Sequence, residues 1–379
     1  MPSKHIEPPG EEPCRRCKEN TFIIVVRSEP LCRDCFIRYV HTKVIKRMES
    51  FRVRNADPNR QRKILLPVSF GVSSIPLLNI MDHHLKTQKS KTGRTGFALT
   101  ILFVDTLGVE KSPANPNLLI QLEERFPDHH YAKVHLEDVF RTEMDDSLLE
   151  LMPYAEVSKV LPLSEQLAVL INSLTSATAR ADVISMLKTR LIVQQAQFLG
   201  CEGILWGDST TRLAEKSLTE TAKGRGFSLP WQIADGESPY GITFNYPMKD
   251  VLKKELVSYV ELVQPPLTSL VHREPTNTQI STGSKNTTID DLMKHYFESV
   301  EANFPSIVSN VVRTIGKLEA PYSSSSDSHC KLCKMPVVGG QFGIHGWGGD
   351  QEDGLAAPVG NVGQGLCYGC SRSMPQVGR

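Results

Sequence analysis

The chain has 379 residues, of which 40% are hydrophobic and 22% are charged, and its formal net charge at pH 7 is +1. This composition is typical of globular proteins, and the length suggests two or three domains. Because the net charge is close to zero, any affinity for nucleic acid has to come from a local basic patch. The sequence has no run of 18 apolar residues and starts without the apolar core of a signal peptide. We therefore expect neither a membrane span nor secretion.

The N-terminal region, residues 14–62, is predicted to be a metal-binding ribbon followed by a basic helix. A polar, Pro-rich stretch precedes it at residues 1–13 and is expected to be disordered. The ribbon has two C-x-x-C pairs on either side of a predicted strand: Cys14, Cys17, Cys32 and Cys35. Four thiolates on two facing knuckles form the tetrahedral shell that Zn²⁺ prefers. Two disulfides or unrelated thiols are the alternative, but abundant C-x-x-C pairs without a secretory signal favour reduced, metal-bound cysteines in the cytosol or nucleus.

A basic block overlaps a helix that the apolar spacing predicts from Phe36 to about Met48. Its nine basic residues, set against the two acids Glu49 and Asp57, are Arg38, Lys43, Lys46, Arg47, Arg52, Arg54, Arg60, Arg62 and Lys63. A mostly exposed segment of this kind would contact RNA phosphates with salt-sensitive affinity. The alternative is a solvated helix face with no ligand.

Residues 63–322 alternate between predicted strands and helices. Apolar strands are predicted at 64–69, 97–104, 131–136 and 202–207, and 164–199 is predicted to form two helices broken near 175–180. This alternation implies right-handed crossovers, and therefore an α/β fold with a doubly wound parallel sheet. Helical patterns follow at 252–263 and 289–318, separated by a polar loop.

The C-terminal region, residues 323–379, is predicted to be a Ser-rich linker and a second metal ribbon. Its C-x-x-C pairs are Cys330, Cys333, Cys367 and Cys370. The 33 residues between the pairs exceed the usual spacing, and the Gly-rich stretch 339–365 is expected to be an extended loop. Both ribbons are predicted to hold structural zinc, because four thiolates leave no open coordination position for catalysis.

The first strand of the α/β region leads directly into a helix through Ser69-Phe-Gly-Val-Ser-Ser74. Ligands of open parallel sheets bind at the carboxyl ends of strands, and backbone N–H groups at a helix N-terminus suit phosphate. Gly71 offers a flexible turn, and Ser69, Ser73 and Ser74 offer hydroxyl donors. A Ser-rich helix cap with no ligand explains the same residues equally well.

This loop resembles the PP-loop of ATP pyrophosphatases, whose pattern is S-G-G-x-D-S after the first strand. Two positions differ from the pattern: Phe70 replaces a glycine, and Ser73 replaces the aspartate. A phenyl group at Phe70 is expected to obstruct or reroute the close approach of the backbone to pyrophosphate. Loss of the carboxylate removes a group that helps to hold Mg²⁺ beside phosphates. Both departures weigh against ATP binding.

Two later segments extend the resemblance. Trp206-Gly-Asp-Ser-Thr-Thr-Arg-Leu-Ala-Glu215 is similar to the family's G-H-N-x-D-D-x-A-E-T motif and adds Gly207 and Asp208 to the degenerate nucleotide pocket. A further segment starts with Tyr246-Pro-Met-Lys and ends at Glu255. It is similar to the R-P-L-K segment of tRNA-thiolating members. Those members use three core cysteines for sulfur transfer and a metal cluster. Here the matching stretch 175–180 has no cysteine, and Cys201 matches none of the three positions; a buried structural thiol is the expected role for Cys201.

A degenerate PP-loop domain between two zinc ribbons resembles the cytoplasmic tRNA 2-thiolation protein 2 family over essentially the whole chain. The resemblance implies a non-catalytic subunit that forms a heterodimer with an intact, catalytic PP-loop subunit and binds tRNA. It further implies that the catalytic subunit adenylates the wobble uridine and accepts sulfur from a thiocarboxylated ubiquitin-like carrier, in the cytoplasm and without a membrane.

Two other hypotheses remain open at this stage. In the second hypothesis the chain acts on its own as an ATP-dependent tRNA-thiolating enzyme with an altered loop, although the missing aspartate and cysteines count against adenylation. In the third hypothesis the chain is a zinc-ribbon interaction protein unrelated to RNA. This hypothesis does not account for the α/β core. Release of AMP tests the second hypothesis, and RNA binding tests the third.

Overall fold

A six-stranded sheet forms the centre of the protein. The computed structural model describes residues 12–57, 59–106, 108–110, 115, 117–141, 146–152, 160–272, 287–320, 328–337 and 365–374. The strands are β1 Ile24–Val26, β2 Glu29–Leu31, β3 Lys63–Val68, β4 Ala98–Asp105, β5 His130–His135, β6 Gly203–Leu205, β7 Gly236–Glu237, β8 Thr243–Asn245, β9 Ser328–His329 and β10 Pro336–Val337. Strands β3 to β8 form the central sheet, and the hairpins β1–β2 and β9–β10 belong to the two cysteine-rich regions.

The helices of the described residues surround this sheet. They are α1 Arg33–Arg47, α2 Ser74–Thr92, α3 Asn117–Arg125, α4 Leu163–Ser173, α5 Ala177–Phe198, α6 Thr210–Ala222, α7 Leu229–Ile233, α8 Lys253–Leu262, α9 Ile289–Asn303, α10 Pro305–Ile315 and α11 Tyr368–Ser373. Within the described parts of the chain, no helix is both long and apolar enough to cross a membrane.

The sheet has the order β5-β4-β3-β6-β8-β7, and all neighbouring strands are parallel except β7 and β8. The predicted doubly wound parallel sheet is confirmed, with one antiparallel edge strand that the sequence did not reveal because β7 has only two residues. The chain builds β4 and β5 on one side of β3 and then continues with β6 on the other side. The strand order therefore reverses between β3 and β6, where ligands of such sheets bind.

Alternating side chains give the sheet two separate cores. On β3, Leu65 belongs to one core while Ile64 and Leu66 belong to the other. This alternation is what a strand buried on both faces requires. The N-terminal cysteines pack into the core that contains Ile64, and the C-terminal cysteines pack into the core that contains Leu65. Each cysteine-rich region thus covers a different face of the sheet.

Local sequence signals set several helix ends. Ser176 and Ser209 cap α5 and α6 by accepting hydrogen bonds from the N–H groups of residues three positions later. The helix predicted over 289–318 is two helices, because Pro305 cannot continue α9 and instead starts α10. Helix α1 starts at Arg33 rather than at Phe36, because the second knuckle leads straight into it.

Several predicted segments lie outside the described residues. They are the N-terminal residues 1–11, most of the polar loop before α9 (273–286), the Ser-rich linker at 321–327 and the Gly-rich stretch 338–364.

Candidate metal centres and nucleotide loop

The first cysteine centre joins the start of the ribbon to the start of α1. The sulfur atoms of Cys14, Cys17, Cys32 and Cys35 all lie within 4.8 Å of one another. The Sγ atoms of Cys17 and Cys32 are 3.7 Å apart. Although burial opposes it, hydrogen bonds from the backbone N–H groups of Cys17, Cys32 and Arg16 lower the pKa of the Cys14 thiol to about 6. Such donors stabilise the thiolate form that a metal ion requires.

The second centre is more deeply buried than the first. The sulfur atoms of Cys330, Cys333, Cys367 and Cys370 also lie within 4.8 Å of one another, and all four residues are buried. The Sγ atoms of Cys333 and Cys367 are 3.9 Å apart. Burial raises the pKa of the Cys330 thiol, but hydrogen bonds from the other three cysteines outweigh this and lower it well below its ordinary value.

Three residues on one face of α5 hold the second centre. Arg190 donates to the carbonyl oxygens of Lys331 and Leu332 at 2.6 and 3.1 Å. One turn earlier the Sδ of Met186 lies 3.6 Å from the Sγ of Cys370, and a further turn earlier Asp182 accepts a hydrogen bond from Ser373 at 2.6 Å. Residues four apart lie on the same side of a helix. The α5 stripe, Asp182, Met186 and Arg190, therefore docks both knuckles of the centre onto the sheet domain.

Both centres fit a single tetrahedral ion. A metal–sulfur distance of about 2.3 Å corresponds to sulfur atoms about 3.8 Å apart at tetrahedral corners. The Cys17–Cys32 and Cys333–Cys367 spacings of 3.7 and 3.9 Å match this value, and all other sulfur pairs of each centre lie within 4.8 Å. A four-iron cluster binds each cysteine at a different corner of a cube and requires wider spacing. Four thiolates around one ion are typical of structural zinc, and the ion would tie each pair of knuckles together without an open position.

The loop after β3 retains an unusual backbone but not the chemistry of its pattern. Phe70 has a φ of +56°, a left-handed conformation that favours glycine, which is the residue of the PP-loop pattern at this position. Its ring is fully buried, 5.1 Å from the ring of Phe103 in an edge-to-face contact. The backbone N–H of His272 donates to the Phe70 carbonyl at 2.8 Å. The phenyl group therefore fills the core, and its packing stabilises the strained turn.

The fold brings the second motif next to this loop. A Cβ at Gly207 would lie 3.1 Å from the Cα of Ser74, so a larger residue would push the end of β6 and the start of α2 apart by a few tenths of an ångström. Ser69 is exposed, Gly71 and Ser73 are half-buried and Ser74 is buried. Asp208, half-buried, follows Gly207 directly. The seven residues of the predicted pocket thus lie at the reversal of strand order between β3 and β6.

Glu215, the other acidic residue of that motif, lies inside α6 rather than in the loop. It is buried and accepts a hydrogen bond from Arg212 at 3.1 Å. Its second carboxylate oxygen has no hydrogen-bond partner among the described residues.

The segment after β8 has a role that the sequence analysis did not assign. Its Asp250 accepts hydrogen bonds from Arg47 at the carboxylate and from Lys43 at the carbonyl, both at 2.8 Å. Although burial opposes it, the hydrogen bond from Arg47 lowers the pKa of Asp250. Glu255 caps α8 by accepting from Leu252 N–H and also accepts from the Tyr39 hydroxyl at 2.9 Å. This segment therefore fastens α1 and the ribbon to the sheet domain.

Most cations of the basic block are exposed, but they are less free than expected. Six of its nine cations bind oxygen atoms of the protein itself, in pairs: Lys43 and Arg47 at Asp250, Arg52 and Arg54 at Glu49, and Arg60 and Arg62 at Glu202. Two of these acceptors, Asp250 and Glu202, are distant in sequence, so charge counting along the chain could not include them. Arg38, Lys46 and Lys63 are exposed. Their assignment as RNA contacts stays a prediction.

The nine cysteines of the sequence are fully accounted for. Eight belong to the two centres, and the ninth, Cys201, is buried at the end of the connection from α5 to β6. Burial raises the pKa of the Cys201 thiol, which disfavours the reactive thiolate. The stretch Thr175–Arg180 forms the start of α5 and has no cysteine. No cysteine is therefore left to build a three-cysteine site.

The comparisons with known proteins agree on one family. The family model for cytoplasmic tRNA 2-thiolation protein 2 matches residues 288–342. A relative of that name from Phaeosphaeria nodorum is 60% identical over 381 residues, which is 100% of this chain and 98% of the relative. A relative of the same name from Pyrenophora tritici-repentis is 57% identical, again over 100% of this chain and 98% of the relative.

A solved structure shows the same fold at low sequence identity. It is the U34-tRNA thiolase NcsA from Methanococcus maripaludis, determined with its 4Fe-4S cluster. The TM-score is 0.58 at 16% identity, with 86% of this chain and 93% of the thiolase covered. The PP-loop fold that the resemblance implied is confirmed.

Proposed function

The chain belongs to the cytoplasmic tRNA 2-thiolation protein 2 family, and from this membership we propose that it is a non-catalytic, tRNA-binding subunit of a wobble-uridine thiolation complex. In this proposal it forms a heterodimer with a catalytic PP-loop subunit. That partner activates the uridine with ATP and takes sulfur from a thiocarboxylated ubiquitin-like carrier. The family name places the reaction in the cytoplasm.

The observation that supports a non-catalytic role is that the two centres use all cysteines but one. Thiolation in a PP-loop enzyme needs cysteines at the core, and eight of the nine here are committed to the two centres. Cys201 alone cannot bind a cluster or form a sulfur-transfer pair. A chain that keeps the fold without the reactive thiols has to depend on another subunit for the chemical step.

The loop supports the same conclusion. Ser73 occupies the position of the aspartate that helps to hold Mg²⁺ at the phosphates, and a hydroxyl carries no charge to balance the metal. Adenylation requires stabilisation of charge on the transferred phosphate. The retained turn at Phe70 is the one observation that favours the alternative, an enzyme with an altered loop.

The direct test is pyrophosphate release from ATP in the presence of tRNA. We expect none from the isolated chain, and we expect release and thiolation only when a catalytic PP-loop subunit and the sulfur carrier are added. Ser69→Ala and Ser74→Ala variants are the matched controls, because both hydroxyls belong to the loop. Release by the isolated chain that disappears in these variants would establish the alternative instead. Copurification from native cells, with mass spectrometry of bound proteins and RNA, tests the heterodimer and tRNA.

A further inference from the structure

A polar cavity lies where the N-terminal ribbon meets the sheet domain. Its volume is about 270 Å³. The lining includes four basic side chains and one acidic one: Arg27, Arg47, Lys249, Arg313 and Asp250. The cations come from four different places, namely the ribbon turn, the end of α1, the segment after β8 and α10. Side chains so far apart in the sequence converge here only because the protein is folded.

The local charge of the cavity is positive even when nearby acids are included. Arg47 lies 3.6 Å from Asp235, and Arg27 lies 3.7 Å from Glu255. Together with Asp250, three acids of the described residues therefore lie near the four cations. The acids bind Arg27 and Arg47, whereas Arg313 contacts only the neutral Asn310 among the described residues, at 3.4 Å. The cavity therefore has cationic groups in excess of its own anions.

The protein holds Arg27, Arg47 and Lys249 in fixed positions. Arg27, in the hairpin between β1 and β2, has a φ of +50° and donates to the Asp250 carbonyl at 3.3 Å. Lys249 donates to the Ile233 carbonyl at 2.9 Å. A Cβ at Gly316 would lie 3.1 Å from the Lys249 ammonium, so the end of α10 packs directly on it. Groups that are already positioned lose less conformational entropy when a ligand binds.

Partial burial of Lys249 has a cost that an anion would offset. Burial lowers the pKa of Lys249, which means that its charged form is disfavoured in the absence of a further anion. Hydrogen bonds between a cation and a phosphate oxygen are among the strongest in proteins, and arginine presents its donors in a fork that matches phosphate.

We propose that this cavity, which we call the ribbon–core pocket (Arg27, Arg47, Lys249 and Arg313), binds a phosphate group of the tRNA backbone. Its volume is below the 300–1,000 Å³ typical of sites that enclose a whole small ligand, but it is sufficient for one phosphate. The exposed fractions of the Arg27 and Arg47 side chains, 42% and 36%, leave the cations accessible to a macromolecule. Three of the four cations lie outside the basic block identified from the sequence. The proposal rests on the proposed tRNA-binding role.

Arg313 provides the cleanest test, because its side chain is exposed and forms no ion pair with any residue that the structure describes. The full chain, assembled with its catalytic partner, is titrated with tRNA at several salt concentrations. We expect Arg313→Glu to weaken binding by roughly tenfold and to reduce the slope of log affinity against log salt by about 0.7–0.9. Arg313→Lys should restore most of the affinity, and both variants should keep the thermal midpoint of the wild type.

Arg180→Glu is the matched control, since Arg180 is exposed on α5 and does not line the pocket. An equal loss in both charge reversals would show a net-charge effect only and would overturn the proposal. If the wild type binds tRNA and Arg313→Glu leaves both the affinity and the salt slope unchanged, the proposal is also overturned. If the wild type binds no tRNA, the proposed function itself fails. Titration with inorganic phosphate would then show whether the pocket takes a free phosphate, which also overturns assignment to RNA.

Discussion

The guanidinium of Arg225 and the carboxylate of Asp182 form two parallel hydrogen bonds inside the protein, at 2.8 and 2.6 Å. The exposed fractions of the two residues are only 1% and 2%. Glu220 accepts from the same guanidinium, and Lys223 donates to Asp182 at 3.0 Å. Because Asp182 also accepts from Ser373, this network connects α5 and α6 to the helix of the second metal centre.

Asp182→Ala should destabilise the protein strongly. The substitution leaves Arg225 buried with only one carboxylate partner, and breaking a buried pair in this way costs about 3–5 kcal/mol. Urea unfolding followed by circular dichroism measures the change. The exposed pair of Arg33 and Asp34, 3.2 Å apart, provides the control, and Asp34→Ala should shift stability by less than about 0.5 kcal/mol. Similar effects of the two variants would contradict a structural role for the network.

The same carboxylate predicts an acid dependence of stability. Burial raises the pKa of Asp182, but the charge and hydrogen bonds of Arg225 outweigh this and lower it below its ordinary value. A group whose pKa is lower in the folded state contributes stability above its unfolded pKa, about 3.9, and loses it as the pH falls through the folded value. The difference in unfolding free energy between the wild type and Asp182→Asn should therefore be largest near neutral pH and shrink below about pH 4. A gap that stays constant down to pH 2 would show that Asp182 titrates normally.

Metal analysis should find about two zinc ions per chain and distinguish the two centres by their effect on folding. Cys14→Ser combined with Cys17→Ser should remove about one equivalent and make the ribbon sensitive to protease, because so small a ribbon lacks a sufficient core of its own. Unchanged zinc content in this variant would refute the N-terminal assignment.

Cys330→Ser combined with Cys333→Ser should remove the other equivalent and also lower the thermal midpoint of the sheet domain. The reason is the α5 stripe: without the knuckle, Arg190 loses the carbonyl oxygens of Lys331 and Leu332 that it binds. Differential scanning calorimetry of the two double variants gives the comparison. A midpoint unchanged from that of the wild type would show that the second centre does not stabilise the sheet domain.

The basic block should divide into cations that bind RNA and cations that hold the fold. Lys46→Glu together with Arg38→Glu alters exposed side chains and should reduce both tRNA affinity and its salt slope, by about 0.7–0.9 per lost phosphate contact, without loss of stability. Arg62→Glu should instead lower stability, because it places a second carboxylate beside Glu202 in place of the cation that pairs with it. Filter binding and thermal unfolding of the same preparations separate the two effects. If Lys46→Glu together with Arg38→Glu leaves tRNA binding unchanged, the basic block is a solvated face with no ligand.

The sequence predicted the sheet and the cysteine centres because their signals are local. Two C-x-x-C pairs can be recognised from their spacing, and strand β3 is apolar after its first residue, Lys63. The orientation of the Phe70 side chain was not predictable in this way. The same sequence is compatible with a phenyl group beside the loop and with one packed against Phe103. The acceptors of Arg47 and Arg62, Asp250 and Glu202, lie 203 and 140 residues away along the chain. Such pairings depend on the tertiary fold.

The contacts of the α5 stripe also determine when this protein can finish folding during synthesis. Asp182 and Arg190 lie at the middle of the chain, but Ser373, Lys331 and Leu332, which bind them, are made near its end. A nascent chain released before these residues appear would lack part of the hydrogen bonding of Asp182 and Arg190. Truncated products should consequently be recognised and degraded, and a stop codon anywhere before the last knuckle should remove the whole subunit rather than only its C-terminal ribbon.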